Sequence, residues 1–256
     1  MNINATSLDI VLPVLDEERT IESSIRKLVN FSEEFLINFQ WKIIVADNGS
    51  TDMTPEIVRK LSKEFQNVSY FRLDQKGRGR ALKTAWSSSD SDLMSYMDID
   101  LSTDLNIFPK LLQSVKNKDC SIAVGSRLLK SSNVIGRSIK RAFISRCYSF
   151  LFRTMFLVSF KDAQCGFKVV SRDVVDQLLP HVEDTGWFFD TELLILAEKT
   201  NYLVNRMKEL GILMSNDGLD KNVIKIKPPL IFSIEDSKKL LLLLEKVFEE
   251  NFMKSI

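Results

Sequence analysis

The stretch "YMDIDLSTD" (96–104) places carboxylates at the end of an apolar run, where burying a charge is costly unless something neutralises it. Asp98 and Asp100 are two residues apart, so on an extended chain both point one way while Ile99 turns into the core. Neighbouring carboxylates repel, and either one takes up a proton or a cation sits between them. With no His or Cys nearby, the cation that fits is a hard divalent ion, Mg²⁺ or Mn²⁺; a solvated acidic loop is the competing reading. A second stretch, "KGRGRA" (76–81), combines Gly77 and Gly79, which let backbone N–H groups approach an anion, with Lys76, Arg78 and Arg80. Alone it is a basic surface turn. Beside a metal site it implies a nucleoside diphosphate whose pyrophosphate the ion bridges. Asp47, in "VADNGSTD" (45–52), is placed either to accept a base N–H or to cap the helix that follows.

Charge is unevenly spread. The whole chain has a formal net charge of +1, which excludes a general attraction to nucleic acid. From Cys120 to Lys161, however, no acidic residue occurs, whereas Arg127, Lys130, Arg137, Lys140, Arg141, Arg146, Arg153 and Lys161 do. This segment is suited to anions. Arg137 and Arg141, one helical turn apart, can offer two guanidinium forks to one phosphate or can solvate an amphipathic helix. The residues after them, from Phe143 to Val158, are heavily apolar but broken by Arg146 and Arg153. They cannot span a bilayer; they either lie in its interface or pack as a core helix. Next, "DAQCGFK" (162–168) offers Asp162 and Gln164 for sugar or metal contacts, and Gly166 suggests close approach of backbone to a ligand. In "WFFDTELL" (187–194), Trp187 can cover a sugar ring and Asp190 can bind its hydroxyls; the alternative is a core Trp187 and a helix cap by Asp190. A hydroxyl acceptor would need a base such as Asp190 or Asp162.

The elements that must position these groups alternate. Strands are predicted at the start of "LDIVLPVLDEE" (8–18), in "WKIIVA" (41–46), "VSYFRLD" (68–74), "DLMSYMDID" (92–100) and "CSIAVGSR" (120–127). Helices are predicted from Thr20 as N-cap (Ile21, Ile25, Leu28, Val29), from Thr54-Pro55, and after the basic glycine loop through Trp86. Alternation of this kind means an α/β fold, a mostly parallel sheet with helices on both faces that binds ligands beyond the carboxyl ends of its strands. We expect one domain over 1–214 and a C-terminal appendage over 215–256 belonging to the same globular unit. In the appendage "VIKIKPPL" (223–230) reads as a strand, Ser233 and Asp236 form a capping box, and Leu240–Leu244 is apolar all round. The three cysteines, widely spaced, read as small core residues in a reducing compartment. No transmembrane run or secretory signal is expected, so a cytosolic protein able to touch a membrane is anticipated.

Taken in order, "VLPVLDEE", "VADNGSTD", "KGRGRA", "YMDIDLS", "VGSR", "DAQCGFK" and "WFFDTELL" resemble the family 2 glycosyltransferases of GT-A (Rossmann-like) fold over about residues 8–215. The resemblance is closest to the dolichyl-phosphate glucosyltransferase and mannosyltransferase group, on its glucosyl branch. It implies inverting transfer of a hexose from a nucleotide sugar, UDP-glucose ahead of GDP-mannose, to a polyprenyl phosphate on the cytosolic face of a membrane, with Mg²⁺ or Mn²⁺. It implies nucleoside contacts by Pro13, Asp16, Glu17 and Asp47, a metal and diphosphate held by Asp98 and Asp100, and Arg127 at the transferring site. It also places acceptor-phosphate arginines in the stretch that holds Arg137 and Arg141. Rival outcomes are a family 2 enzyme acting on a saccharide hydroxyl and a silent nucleotide-sugar-binding module. Asp16, Asn48 and Arg78 depart from the usual family residues and bear on the donor contacts; Ile99 departs too, without touching the metal-diphosphate core.

Overall fold

The structure, a computed structural model, describes residues 5–129, 132, 139–212, 214–217, 223–225 and 233–254. Arg137 lies outside them, as do the side chain of Arg141 and most of 218–232. In chain order the elements are β1 (Thr6–Val14), α1 (Ile21–Phe35), β2 (Phe39–Asp47), α2 (Thr54–Glu64), β3 (Val68–Arg72), α3 (Arg78–Ser87), β4 (Leu93–Met97), α4 (Phe108–Lys116), β5 (Ile122–Val124) and α5 (Ile139–Phe156). They continue with β6 (Phe167–Ser171), α6 (Arg172–Gln177), α7 (Phe189–Glu209), β7 (Ser215–Asp217), β8 (Val223–Lys225), α8 (Ile234–Phe248) and α9 (Asn251–Lys254). The chain divides into two compact units. One comprises residues up to Gly125 together with Gln164–Asp190, the other Ser126–Ala163 together with residues from Thr191 onward.

The first unit is built on a six-stranded sheet of order β3-β2-β1-β4-β6-β5. β1 pairs in parallel with β2 and β4, and β2 with β3, whereas β6 is antiparallel to both β4 and β5. One face of β1 (Leu8, Ile10, Leu12, Val14) joins Ile21, Ile25 and Leu28 of α1, Val58 and Leu61 of α2, and Phe108 and Leu112 of α4 in a single core. The period-2 side chains of the strand meet the helical stripes there. On the other face Trp86 of α3 lies 6.0 Å, ring to ring, from both Tyr96 and Phe189.

Four local expectations change. The strand at Phe167–Ser171 was not anticipated, because five apolar-flanked residues after a glycine carry no periodicity; it nevertheless occupies an interior position of the sheet. β4 stops at Met97, and Asp98–Leu101 is a turn in which the Leu101 N–H donates to the Asp98 carbonyl (3.0 Å), rather than an extended segment. Thr20 does precede α1, but its hydroxyl donates to the Glu17 carboxylate (2.7 Å) and makes no side-chain cap. Of the cysteines only Cys165 is buried; Cys120 and Cys147 are exposed, the latter on the outward side of α5.

In the second unit Leu203 and Met207 of α7 pack with Met214 and with Leu240 and Val247 of α8. The Ser233–Asp236 capping box starts α8 as anticipated, and Leu241 and Leu242 face outward. The far end is pinned by Glu250, which accepts from Arg206 Nε (2.9 Å) and Nη2 (2.7 Å). Helix α5 buries Ser149 and Phe152 and exposes Phe143, Ile144, Phe150, Leu151 and Met155, with Arg146 and Arg153 exposed among them. Among the described residues no helix is long and apolar enough to cross a membrane.

Candidate active site

Parallel strands bring the ends of β1, β2 and β4 to one edge, and antiparallel β6 begins at that same edge. The result is a cleft of about 620 Å³ lined by Pro13, Val14, Leu15, Glu17, Asn48, Lys76, Gly77, Arg78, Asp98, Ile99, Asp100, Gly186 and Trp187. Its volume lies in the range of small-molecule sites, roughly 300–1,000 Å³. The expected nucleotide residues Pro13, Glu17, Lys76, Arg78 and Asp98 are brought together here, with Asp100.

Asp98 and Asp100 share the cleft while Ile99, 5% exposed, goes into the core. The carboxylate of Asp98 lies on the backbone of Gly166: the Asp98 N–H donates to the Gly166 carbonyl (2.9 Å), and a Cβ at residue 166 would stand 1.8 Å from Asp98 Oδ2. Gly166 thus admits a close approach, as its type suggested, though what approaches is Asp98. Burial pushes the Asp98 carboxyl above its ordinary pKa; Arg78 opposes this, and the charges of Asp100 and Asp190 add to the rise. Asp100 is exposed, and its Oδ1 accepts the Ser102 N–H (3.0 Å).

These residues fit a hard divalent ion. The donors are carboxylate oxygens, no His or Cys lines the cleft, and the bare backbone of Gly166 leaves the Asp98 carboxylate its place at the cleft edge. Among the described residues no cluster of three or more His, Cys, Asp or Glu gathers as a closed cage. An ion held by Asp98 and Asp100 would therefore take its remaining ligands from phosphate oxygens and water, the usual habit of Mg²⁺.

Arg78 is the hub of the cleft. Its side chain is 10% exposed; Nη2 donates to Asp98 Oδ1 at 2.8 Å, and Nη1 lies 3.6 Å from Asp190 Oδ2. Its guanidinium sits 5.1 Å from the Tyr96 ring centre and 4.9 Å from that of Trp187, within cation–π range of both. Trp187 itself is 68% exposed at the cleft edge.

Behind Arg78 lies a buried charge network that sequence reasoning did not detect. Tyr96 and Lys168 are paired across β4 and β6, and both are fully buried. Lys168 Nζ donates to the Tyr96 hydroxyl (2.9 Å) and the Cys165 carbonyl (2.7 Å), and lies 2.9 Å from Asp190 Oδ1. The Tyr96 hydroxyl donates to that same oxygen at 2.5 Å. Burial and the Asp190 charge push the Tyr96 phenol well above its usual pKa. A lysine set among the apolar residues of "CGFKVV" (165–170) was the available signal, since Lys is almost never fully buried unless paired.

Asp190, 2% exposed, is enclosed by Tyr96, Lys168 and Arg78 and does not line the cleft. Gln164 is partly exposed and does not line it either. The glycine loop also differs from expectation. The N–H groups of Gly79 and Arg80 donate to the carbonyls of Gly186 and Thr185 (3.1 and 3.0 Å), and a Cβ at Gly79 would meet Phe189 Cβ at 2.7 Å. These amides serve packing; the positive charge toward the cleft comes from Lys76 and Arg78. Asp47 is fully buried: Oδ1 accepts the Ser50 N–H (2.8 Å) and Oδ2 the Tyr70 hydroxyl (2.7 Å), with Arg72 at 3.6 Å. Asp16, at φ 55°, accepts the Thr51 N–H (2.7 Å) and so ties the loop after β1 to the loop after β2.

In the second unit Arg127 and Asp162 pair with each other. Arg127 donates from its backbone N–H (2.8 Å) and Nε (3.0 Å) to Asp162 Oδ2, and from Nη2 to Oδ1 (2.9 Å), a forked arrangement with Asp162 buried. Arg141 stands on α5.

The family described as Glycosyl transferase family 2 matches residues 9–179. Glycosyltransferase AglD of Haloferax volcanii is 37% identical over 198 residues, 77% of this chain and 32% of that protein. Dolichyl-phosphate beta-glucosyltransferase of Saccharomyces cerevisiae is 28% identical over 212 residues, 74% of this chain and 62% of that protein. The chain thus spans about a third of the first relative and about three fifths of the second. Among solved structures, glucosyl-3-phosphoglycerate synthase from Mycobacterium tuberculosis in complex with Mn²⁺ and UDP-glucose superposes with a TM-score of 0.54 at 18% identity, covering 95% of this chain and 77% of that one. The mixed six-stranded sheet, with a ligand edge made by β1, β2, β4 and the start of β6, is accordingly the GT-A fold, and the chain belongs to glycosyl transferase family 2.

Proposed function

We propose that the protein transfers a hexose, with inversion, from UDP-glucose to a polyprenyl phosphate at the cytosolic surface of a membrane. The observation that carries this reading is the cleft in which Asp98 and Asp100 face Lys76 and Arg78, an arrangement suited to a nucleoside diphosphate with a bridging cation. The choice of donor and acceptor is supported by relatives named dolichyl-phosphate beta-glucosyltransferase, and that of UDP-glucose and a divalent ion by a fold neighbour crystallised with Mn²⁺ and UDP-glucose.

On this reading Pro13 and Glu17 bound the nucleoside, with Asp16 and Asp47 holding the loops around it. Lys76 and Arg78 bind the diphosphate. A Mg²⁺ or Mn²⁺ ion held by Asp98 and Asp100 would supply charge neutralisation to the departing diphosphate. Trp187, exposed at the cleft edge, covers the sugar, and Gln164 is assigned to its hydroxyls; Asp190 acts through Arg78. A phosphate monoester acceptor is already an anion at neutral pH and needs no base. The chain's task is to hold it, and Arg127, Arg137 and Arg141 in the acid-free segment are assigned to this. The outward apolar side chains of α5, interleaved with Arg146 and Arg153, support an interfacial position. Each large one is worth about 1.5–3 kcal/mol if fully buried, and each cation about 1 kcal/mol on an anionic leaflet.

The test is incubation of purified protein, Mn²⁺ and membrane lipid extract with a panel of labelled nucleotide sugars. Label from UDP-glucose entering the organic phase is expected, with Arg141→Ala losing that transfer while retaining UDP binding. Label only from GDP-mannose, or only in a water-soluble saccharide, would overturn the reading.

A further inference from the structure

We infer that Arg78 is the resident counter-ion of Asp98, which a divalent cation must displace, so that metal and nucleotide enter the cleft together and metal alone binds weakly. This rests on the metal assignment above. The guanidinium contacts the same carboxylate, at 2.8 Å, that an ion in the cleft would need. It does not reach Asp98 as a loose surface chain, because it is 10% exposed and lies near the rings of Tyr96 and Trp187.

The second carboxylate makes exchange feasible. Asp190 stands 3.6 Å from the other nitrogen of the fork, and it is fixed from behind by Lys168 and the Tyr96 hydroxyl. When Asp98 turns to an ion, Arg78 keeps Asp190 and is not left as an unpaired buried charge. Charge balance sets the order. Asp98 and Asp190 against Arg78 and Lys168 are neutral as they stand. Glu17 and Lys76, also in the cleft, offset one another, so a dication answered by Asp100 leaves surplus positive charge beside Arg78. The two negative charges of a diphosphate reverse that surplus and give the released guanidinium a new partner. Lys168 is thereby a positioning residue, acting on the cleft only through Asp190 and Arg78.

The experiment measures Mn²⁺ binding by loss of the free-ion electron spin resonance signal, with and without UDP, in wild type and Arg78→Met. In the wild type UDP is expected to tighten Mn²⁺ strongly. In Arg78→Met, Mn²⁺ alone should bind about tenfold tighter than in the wild type, on the scale of ordinary site-to-site coupling, and the gain from adding UDP should shrink. If Arg78→Met does not fold, Arg78→Lys carries the test. Its ammonium cannot fork between Asp98 and Asp190, so Mn²⁺ alone should again bind tighter than in the wild type. Folded variants whose Mn²⁺ affinity without UDP is equal to or weaker than that of a Mn²⁺-binding wild type would overturn the exchange and leave the metal assignment standing. A wild type that binds no Mn²⁺ even with UDP would overturn the metal assignment, and the exchange with it.

Discussion

Asp98 Oδ2 occupies the space in which the side chain of residue 166 would begin: a Cβ on Gly166 would stand 1.8 Å from it. The central carboxylate of the cleft is therefore positioned by an absence of side chain on the neighbouring strand. Two segments almost seventy residues apart in the chain meet there because β6 starts where β4 ends.

Gly166→Ala must accordingly push Asp98 out of place. We expect UDP–Mn²⁺ binding and sugar transfer to fall by about a hundredfold or more, the scale of losing one preorganised electrostatic contact. Folding should weaken by only ~1–3 kcal/mol, as for an overpacked site. Calorimetric UDP–Mn²⁺ titration beside a urea melt separates the two effects.

Asp100→Ala should abolish transfer without unfolding the protein, since the Asp100 side chain is exposed and accepts a local bond from the Ser102 N–H. Chelation should do the same to the wild type, with recovery on adding Mn²⁺ or Mg²⁺. Transfer that persists in excess chelator would contradict the role given to the Asp98–Asp100 pair.

Lys168→Met removes the fully buried ammonium opposite Asp190 and leaves that carboxylate with Tyr96 and the more distant Arg78. Breaking one side of such a pair costs ~3–5 kcal/mol. Adding Asp190→Asn should cost less than the sum of the single changes, with a coupling of ~1–3 kcal/mol in a double-mutant cycle followed by urea denaturation. Simple additivity would mean the two groups act independently.

The outward side of α5 can be tested apart from chemistry. Phe150→Glu with Leu151→Glu should reduce cosedimentation with anionic vesicles by about tenfold or more, given the free energy of inserting two large apolar side chains. UDP binding in solution should be unchanged. Equal vesicle binding by variant and wild type would remove α5 from the membrane contact.

Acid should loosen the second unit. Hydrogen bonds from Arg206 and Tyr202 lower the Glu250 pKa to about 2, from an ordinary 4.5. A depressed carboxyl contributes stability that is present above its unfolded-state pKa and is lost as pH falls through the folded value. Melting temperature should therefore decline between about pH 4.5 and 2, and Glu250→Gln should flatten that decline.

How far the protein can be read without its structure depends on the range of the interactions. Periodicity and turn residues are local, and they were enough for β1 to β4, α1 to α3, the capping box at Ser233 and the rim carrying Glu17, Lys76, Arg78, Asp98 and Asp100. Patterns of residue type, taken in order, were enough for the family. Nothing local distinguishes Phe167–Ser171 from a loop, because its reason to be a strand is the partner on either side.

The same limit governed the site. That Asp98 needed a counter-charge followed from the residue type alone, but that Arg78 supplies one, that Asp190 is enclosed by Lys168 and Tyr96, and that Arg127 pairs with Asp162 were decided by folding. Each of those contacts joins residues 20 to 94 positions apart, and ion pairs form by distance in space, which sequence spacing beyond a helical turn does not encode.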